Sequence, residues 1–188
     1  CSIQCCGFVQ PMADGPANNP HNPIEETYTH MINKARNYIY FTTPYLVLDQ
    51  KMVDDLCRAA HSGVDVRIVT PRMYDKWYVY MVTVSNYGPL LANGVKIYEY
   101  KPGFIHSKTV AMDDECAICG SINMDYRSFY LHYECGVFMS ENQAVLDIRD
   151  DILTTIKKCE RITYDMWKKR PIHQKIIQWC LRLFSPIL

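Results

Sequence analysis

Three times in the first hundred residues the apolar spacing changes from helical to strand-like, and this repetition constrains the fold most. Ile24, Tyr28, Met31, Ile32 and Ala35 recur at helical spacing behind Pro23 and Glu25-Glu26, and Tyr38 to Thr43 then reads as a strand stopped by Pro44. Asp49 caps a second helix running to about His61, with Met52, Val53, Leu56, Ala59 and Ala60 on one face. Gly63 ends it, and Val64 to Thr70 follows as a strand. A third helix over about 75–92, closed by Asn93-Gly94, leads into the strand Val95–Tyr100. Such alternation implies parallel neighbours joined by crossover helices. Beyond it, residues 104–112 read as a strand whose last part pairs with Cys116–Cys119 around the turn Asp113-Asp114. Tyr133–Met139 gives a final strand, 141–160 a long helix, and 161–184 helix broken by Pro171. Upstream, Gly7–Gln10 reads as a short strand, and 12–23, with Gly15, Pro16, Pro20 and Pro23, as loop. The expectation is an α/β fold of six or seven strands in a mixed sheet flanked by helices.

His106-Ser-Lys108, Asp113, Gly120-Ser121 and Asn123 gather an imidazole, an ammonium, a hydroxyl and a carboxamide within eighteen residues. In a strand over 104–112, His106 and Lys108 share one side and Ser107 and Thr109 the other. Six fixed residue types at fixed offsets match by chance roughly once in ten million starting positions. A phosphodiester resists attack because it is an anion. Cleaving it takes a positioned nucleophile and groups that neutralise charge on the phosphoryl oxygens. Neutral imidazole is a competent nucleophile near pH 7, which suits His106. Lys108 supplies a point charge, and Ser121 and Asn123 supply neutral donors to the same oxygens.

The pattern H-x-K-x4-D-x6-G-S-x-N resembles the signature of the phospholipase D superfamily. Thr43-Pro-Tyr45, Gly94–Tyr100, Gly103–Lys108, Asn123–Phe129 and the closing Arg182–Pro186 resemble the second half of bacterial cardiolipin synthases, a likeness running from about Val9 to Leu188. The resemblance implies a phospholipase D-like sheet forming one half of a pseudo-two-fold pair, with an active site built from two signature copies. This chain carries one copy, does not begin with Met, and has no apolar run long enough to span a bilayer. It is therefore read as the C-terminal half of such an enzyme, the alternative being a single-copy member that pairs with itself. Three segments are expected: strand and linker over 1–23, the catalytic half-domain over 24–160 with the signature at about 101–128, and an amphipathic helical segment over 161–188.

The resemblance also implies that Glu134 orients the motif histidine. Asp113 belongs to the catalytic signature, yet the hairpin puts it in the turn, where it reads as structural, fixing the turn through backbone amides. Gly120 either lets backbone approach a phosphate or serves turn chemistry. Tyr45, beside Pro44, lines a substrate channel or is a packing residue. Arg127 contacts a lipid phosphate or pairs with Asp125. His132 stands where cardiolipin synthases tend to carry Asn, and adds a polar contact near the site or sits at the surface.

Twenty basic residues balance twenty acidic ones, and no basic stripe appears over 1–160, which counts against a nucleic-acid partner. Nine scattered cysteines suggest a reducing compartment, and Cys116-Ala-Ile-Cys119 reads as small apolar side chains in a buried strand. The spacing of Cys1, Cys5 and Cys6 relative to that pair fits no common zinc pattern, so no metal or other cofactor is expected. Lys168-Lys-Arg170 precedes Ile172, Ile176, Ile177, Trp179, Cys180, Leu183 and Phe184, the composition of a helix lying in a lipid interface or packed on the domain's own core. The expected activity is phosphatidyl transfer between two phosphatidylglycerol molecules through a phosphohistidine. It would take place at a membrane surface, with the globular part on the cytoplasmic side. The alternative is a self-paired phosphodiesterase or nuclease.

Overall fold

A computed structural model describes residues 7–19 and 21–182; Cys1, Cys5, Cys6, Pro20 and the tail 183–188 lie outside the described residues. An eight-stranded mixed sheet is built from β1 (Phe8–Asp14), β2 (Tyr38–Thr42), β4 (Asp65–Pro71), β5 (Lys96–Tyr100), β6 (Thr109–Met112), β7 (Cys116–Gly120), β9 (Glu134–Ser140) and β10 (Cys159–Ile162). Their order is β1-β9-β7-β6-β2-β4-β5-β10. A second, two-stranded sheet joins β3 (Leu46–Val47) in parallel to β8 (Met124–Asp125). As the alternating spacing requires, β2, β4 and β5 are parallel, and the remaining pairs of the large sheet are antiparallel.

Helices α1 (Pro23–Lys34), α2 (Gln50–His61) and α3 (Trp77–Ala92) cover one face. Their apolar stripes pack on Ile39, Phe41, Val66, Ile68, Ile97, Val110, Met112 and Ile118. The intervening residues Tyr40, Val69, Ala111 and Ala117 point the other way and meet Val145 and Ile152 of α5 (Gln143–Ile156). The two-residue period of the strands thus separates two cores. Capping holds where the residue types foretell it: Asp49 accepts from the Met52 amide at 2.8 Å, and Gly63 adopts φ +93° beyond the end of α2.

Several expectations need correction. β1 extends to Asp14 through Pro11, because an edge strand can leave the imino side unbonded. No ladder forms over 104–108. β2 stops at Thr42, and Thr109, paired with it, opens β6, so His106 and Lys108 sit in the approach to the strand. The helix expected over 141–160 ends at Ile156, and Cys159–Ile162 pairs with the exposed edge of β5. That pairing sets Glu160 against Glu99, a clash that Arg72, bridging both carboxylates, and Lys101, 3.5 Å from Glu160, offset. β10 crosses the division drawn at residue 160.

The C-terminal segment forms α6 (Tyr164–Lys168) and α7 (Ile172–Arg182). Trp167 Nε1 donates to the Val84 carbonyl at 2.7 Å, fastening α6 to α3. α7 packs on α3 through Gln178, 3% exposed and bonded to Arg170, and through Leu181 beside Val79 and Val82. Ile172, Ile176 and Trp179 instead face outward at 71%, 58% and 67% exposure. Among the described residues no helix is long and apolar enough to cross a membrane. The expected Leu183, Phe184 and Pro186 contributions lie outside the described residues.

Asp113 fastens the β6–β7 turn to the start of β2. Its carboxylate accepts from the amides of Arg36 (2.7 Å), Asn37 (2.9 Å) and Tyr38 (2.7 Å), which belong to a different segment from its own turn. Asp113→Ala should cost about 2–3 kcal/mol in urea unfolding, because three amides lose a charged acceptor. Asp113→Asn should fall between the two.

Candidate active site

All the site segments meet at one edge of the large sheet. β2 and β4 end there, β6 begins there opposite Thr42, β7 ends beside β6, and β9 begins beside β7. The loops leaving and entering these strands carry Tyr45, Asp75, His106, Lys108, Ser121 and Asn123, and Glu134 opens β9. Open α/β sheets place ligands at such carboxyl-end crevices. Asp113 lies at the opposite end of β6, beyond four strand residues or about 13 Å of rise. It acts through the fold.

Alternation persists in the approach to β6 without ladder hydrogen bonds. Ser107 Oγ donates to Thr42 Oγ1 at 3.0 Å, and Thr109 Oγ1 shares a 2.7 Å hydrogen bond with the same oxygen. This turns 107 and 109 toward β2 and leaves 106 and 108 to the other side. Lys108 is buried, its Nζ donating to the His106 carbonyl at 2.8 Å, and its own carbonyl accepts from Gly120 N at 3.3 Å. The His106 ring is exposed and lies 5.5 Å from the Phe104 ring, centroid to centroid. Burial lowers the Lys108 pKa, and the nearby carboxylates of Glu134 and Asp125 oppose that shift. Burial also lowers the His106 pKa, the Lys108 charge adds to the effect, and Asp75 works against it. On balance the site favours the neutral form of the His106 ring.

Ser121, Asn123 and Glu134 form one network, with Ser128 at its centre. Glu134 is buried at the start of β9; one carboxylate oxygen accepts from Ser121 Oγ and the other from Ser128 Oγ at 2.8 Å. Ser128 Oγ in turn accepts from Asn123 Nδ2 at 3.0 Å. Asp125 caps the short helix α4 (Tyr126–Tyr130), taking the Ser128 amide at 2.6 Å. Burial raises the Asp125 pKa, the hydrogen bonds from Ser128 lower it, and the Glu134 charge adds to the rise. Two expectations change accordingly. Among the described residues no hydrogen bond joins Glu134 to His106, and each carboxylate oxygen instead takes a serine hydroxyl. The donors of Ser121 and Asn123 are likewise engaged inside the network and do not all point outward.

Gly120 answers to its neighbours: a Cβ there would lie 2.4 Å from the Cys135 carbonyl and 2.5 Å from Gly136 Cα, so the β7–β9 approach requires glycine. Cys116 is buried but Cys119 is exposed, three residues along the same strand and so on the other face. Tyr45 OH donates to Asp75 Oδ2 at 2.5 Å, and burial with that bond raises its pKa. Arg127 forms no ion pair with Asp125 among the described residues; its Nε donates to His132 Nε2 at 2.7 Å. Sequence reasoning missed Ser128 and Asp75. The Asp125-x-x-Ser128 spacing, an N-cap and its third helical residue, was the available signal for Ser128.

Comparisons with known proteins bear on this geometry. A family model described as cardiolipin synthase, PLD-like domain, matches residues 28–156. An uncharacterized protein of Streptococcus mutans is 40% identical over 183 residues, covering 97% of this chain and 39% of that protein. Cardiolipin synthase 1 of Staphylococcus epidermidis is 39% identical over 180 residues, covering 96% of this chain and 36% of that protein. The chain thus spans well under half the length of these relatives. Among solved structures, the phospholipase D family member Nuc from Salmonella typhimurium superposes with TM-score 0.70 at 15% identity, covering 84% of this chain and 99% of that one. Phosphatidylserine synthase of Haemophilus influenzae gives TM-score 0.76 at 16% identity, covering 96% and 48%. Both likenesses speak to the fold alone.

The electrostatics can be tested by NMR titration of the His106 ring. Its midpoint should lie below that of an ordinary histidine. Lys108→Met should raise it by removing a like charge, and Asp75→Asn should lower it further by removing the opposing carboxylate.

Proposed function

This chain belongs to the cardiolipin synthase, phospholipase D-like domain family, and from that premise we propose that it supplies one half of an active site transferring a phosphatidyl group between two phosphatidylglycerol molecules. The observation that carries the reading is the exposed imidazole of His106 and the buried ammonium of Lys108, which bonds the His106 carbonyl, at one sheet edge with Glu134. One imidazole attacks phosphorus while the glycerol oxygen leaves and takes a proton. The terminal hydroxyl of a second phosphatidylglycerol then attacks the phosphatidyl-imidazole, losing its proton as the imidazole departs. Cardiolipin and glycerol result, and atoms balance without a cofactor. Lys108 stabilises the negative charge on the phosphoryl oxygens. Ser128 and Glu134 hold Ser121 and Asn123 in place, and Glu134 favours the charged form of Lys108.

A single imidazole cannot attack phosphorus and protonate the leaving oxygen in one step. A mirror set must therefore come from the rest of a longer protein or from a second copy of this chain, His106 taking one of the two roles. With phosphatidylglycerol vesicles and the mirror set present, His106→Ala should reduce cardiolipin formation about a thousand-fold or more by lipid chromatography. Cardiolipin made at an unchanged rate would remove His106 from the mechanism.

A lipid substrate has to be reached from a membrane surface, and α7 supports that approach. Its polar Gln178 faces the domain while Ile172, Ile176 and Trp179 face outward. Lys168, Lys169 and Lys175 flank this stripe with no acidic residue after Asp165, which complements the charge of phosphatidylglycerol. Brominated phosphatidylglycerol vesicles should quench the tryptophan emission of the chain, and Trp179→Phe should remove most of that quenching. Trp77 and Trp167 serve as internal controls.

A further inference from the structure

The C-terminal segment and the site are held by the same helix. Trp167 of α6 seats on α3 at Gly88, where a Cβ would lie 2.3 Å from its ring carbons, and its Nε1 holds the Val84 carbonyl. Arg170 stands over that ring at 4.1 Å and donates to Gln178 of α7. Gln178 Nε2 lies 4.0 Å from Met81 Sδ, and Leu181 packs with Val79 and Val82, a cluster that Tyr45 also joins. α7 therefore runs back along α3 toward the site.

The loop between β4 and α3 is held by this segment at both ends. Arg72, the first residue beyond β4, pairs with Glu160 of β10. At the other end the loop enters α3 just before the cluster that receives Leu181. Between them Asp75 accepts from Tyr45 OH and opposes the lowering of the His106 pKa. α3 also fixes the backbone beside Tyr45: the Leu46 amide donates to Thr83 Oγ1 at 3.2 Å, and Asn86 Nδ2 donates to the Leu46 carbonyl at 3.0 Å.

In water the seat of α7 is marginal. Eleven residues are few for a helix without partners. The helix turns polar Gln178 inward and leaves Ile172, Ile176 and Trp179 to solvent, the reverse of what burial favours. An anionic lipid surface would cover those side chains and attract Lys168, Lys169 and Lys175. The lipid surface and the seat on α3 both require the folded helix, so each meets part of the ordering cost for the other.

We propose that the C-terminal segment couples an anionic lipid surface to the site: the surface orders α7 on α3, and the seated helix holds the loop carrying Asp75, and Tyr45 with it, in place. The coupling rests on the lipid-facing reading of α7 above and gives that helix control of the site.

Hydrogen–deuterium exchange of the chain tests this, read over residues 72–80 and 164–182 in buffer and with vesicles of phosphatidylglycerol or of phosphatidylcholine. Phosphatidylglycerol should slow exchange in both segments about ten-fold or more, and phosphatidylcholine should leave both within about two-fold of buffer. Gly88→Ala strengthens α3 as a helix but takes the place of the Trp167 ring, so in buffer it should quicken exchange in both segments about ten-fold. The same variant should lower the His106 titration midpoint, as Asp75→Asn does. Trp179→Ser, at an outward position, should leave exchange in buffer within about two-fold and cancel the vesicle effect in both segments. Slowing at 164–182 without slowing at 72–80, or a loop and a His106 midpoint unmoved by Gly88→Ala, would overturn the coupling and leave the lipid-facing reading standing. Equal slowing by phosphatidylcholine would overturn the assignment of an anionic surface. No slowing in either segment would overturn the lipid-facing reading and the coupling with it.

Discussion

A buried carboxylate has to be matched by donors, and the matching of Glu134 organises the site. Left alone at the start of β9 its charge would cost several kcal/mol. Ser121 and Ser128 supply hydroxyls from two directions, and Lys108 supplies a compensating charge. Each hydroxyl also ties down a stretch of chain. Ser121 Oγ accepts from the Cys135 amide at 3.0 Å, and Ser128 Oγ accepts from both the backbone and side-chain nitrogens of Asn123. Satisfying one group thereby sets the path of the loop that follows β7.

The same economy operates at the boundary between the two sheets. Thr43 is fully buried, donates to the Tyr45 carbonyl at 2.7 Å and accepts from the Met124 amide at 3.0 Å. It thus joins the end of β2 to β8 and carries Tyr45 to the same opening as Asn123. At the far end of the sheet Asp113 plays the mechanical counterpart, holding the hairpin against the start of β2. Signature residues therefore divide between the two ends of one short strand. His106 and Lys108 precede Thr109, and Asp113 follows Met112.

Much of this was legible in the residue order. The parallel β2-β4-β5 core follows from three rounds of alternating period. The grouping of His106, Lys108, Ser121 and Asn123 at one edge follows from their offsets around a hairpin, and Glu134 came only from the family resemblance. The roles inside the group were less legible. Offsets say which residues come close, and hydrogen bonds then depend on side-chain reach and on competing partners. Glu134 was expected to meet His106 and instead takes two serines. Ser128 carried no separate signal in the spacing beyond the Asp125 cap, and its hydroxyl became visible only once Asp125 had capped α4 beneath it. β10 was hidden for a different reason. A four-residue strand has too short a period to stand out after a helix, and it forms because β5 offers an open edge.

Local spacing by itself determined the element types, the parallel core and the set of signature side chains, because helix and strand periods and a fixed-offset motif are properties of neighbouring residues. Tertiary structure alone decided which hydroxyl serves which carboxylate, that Gly120 is demanded by the strand beside it, and that α7 turns Gln178 inward and Trp179 outward. These are contests between groups far apart in the chain for the same buried donors, acceptors and space. Such contests are settled only when the sheet brings the groups together.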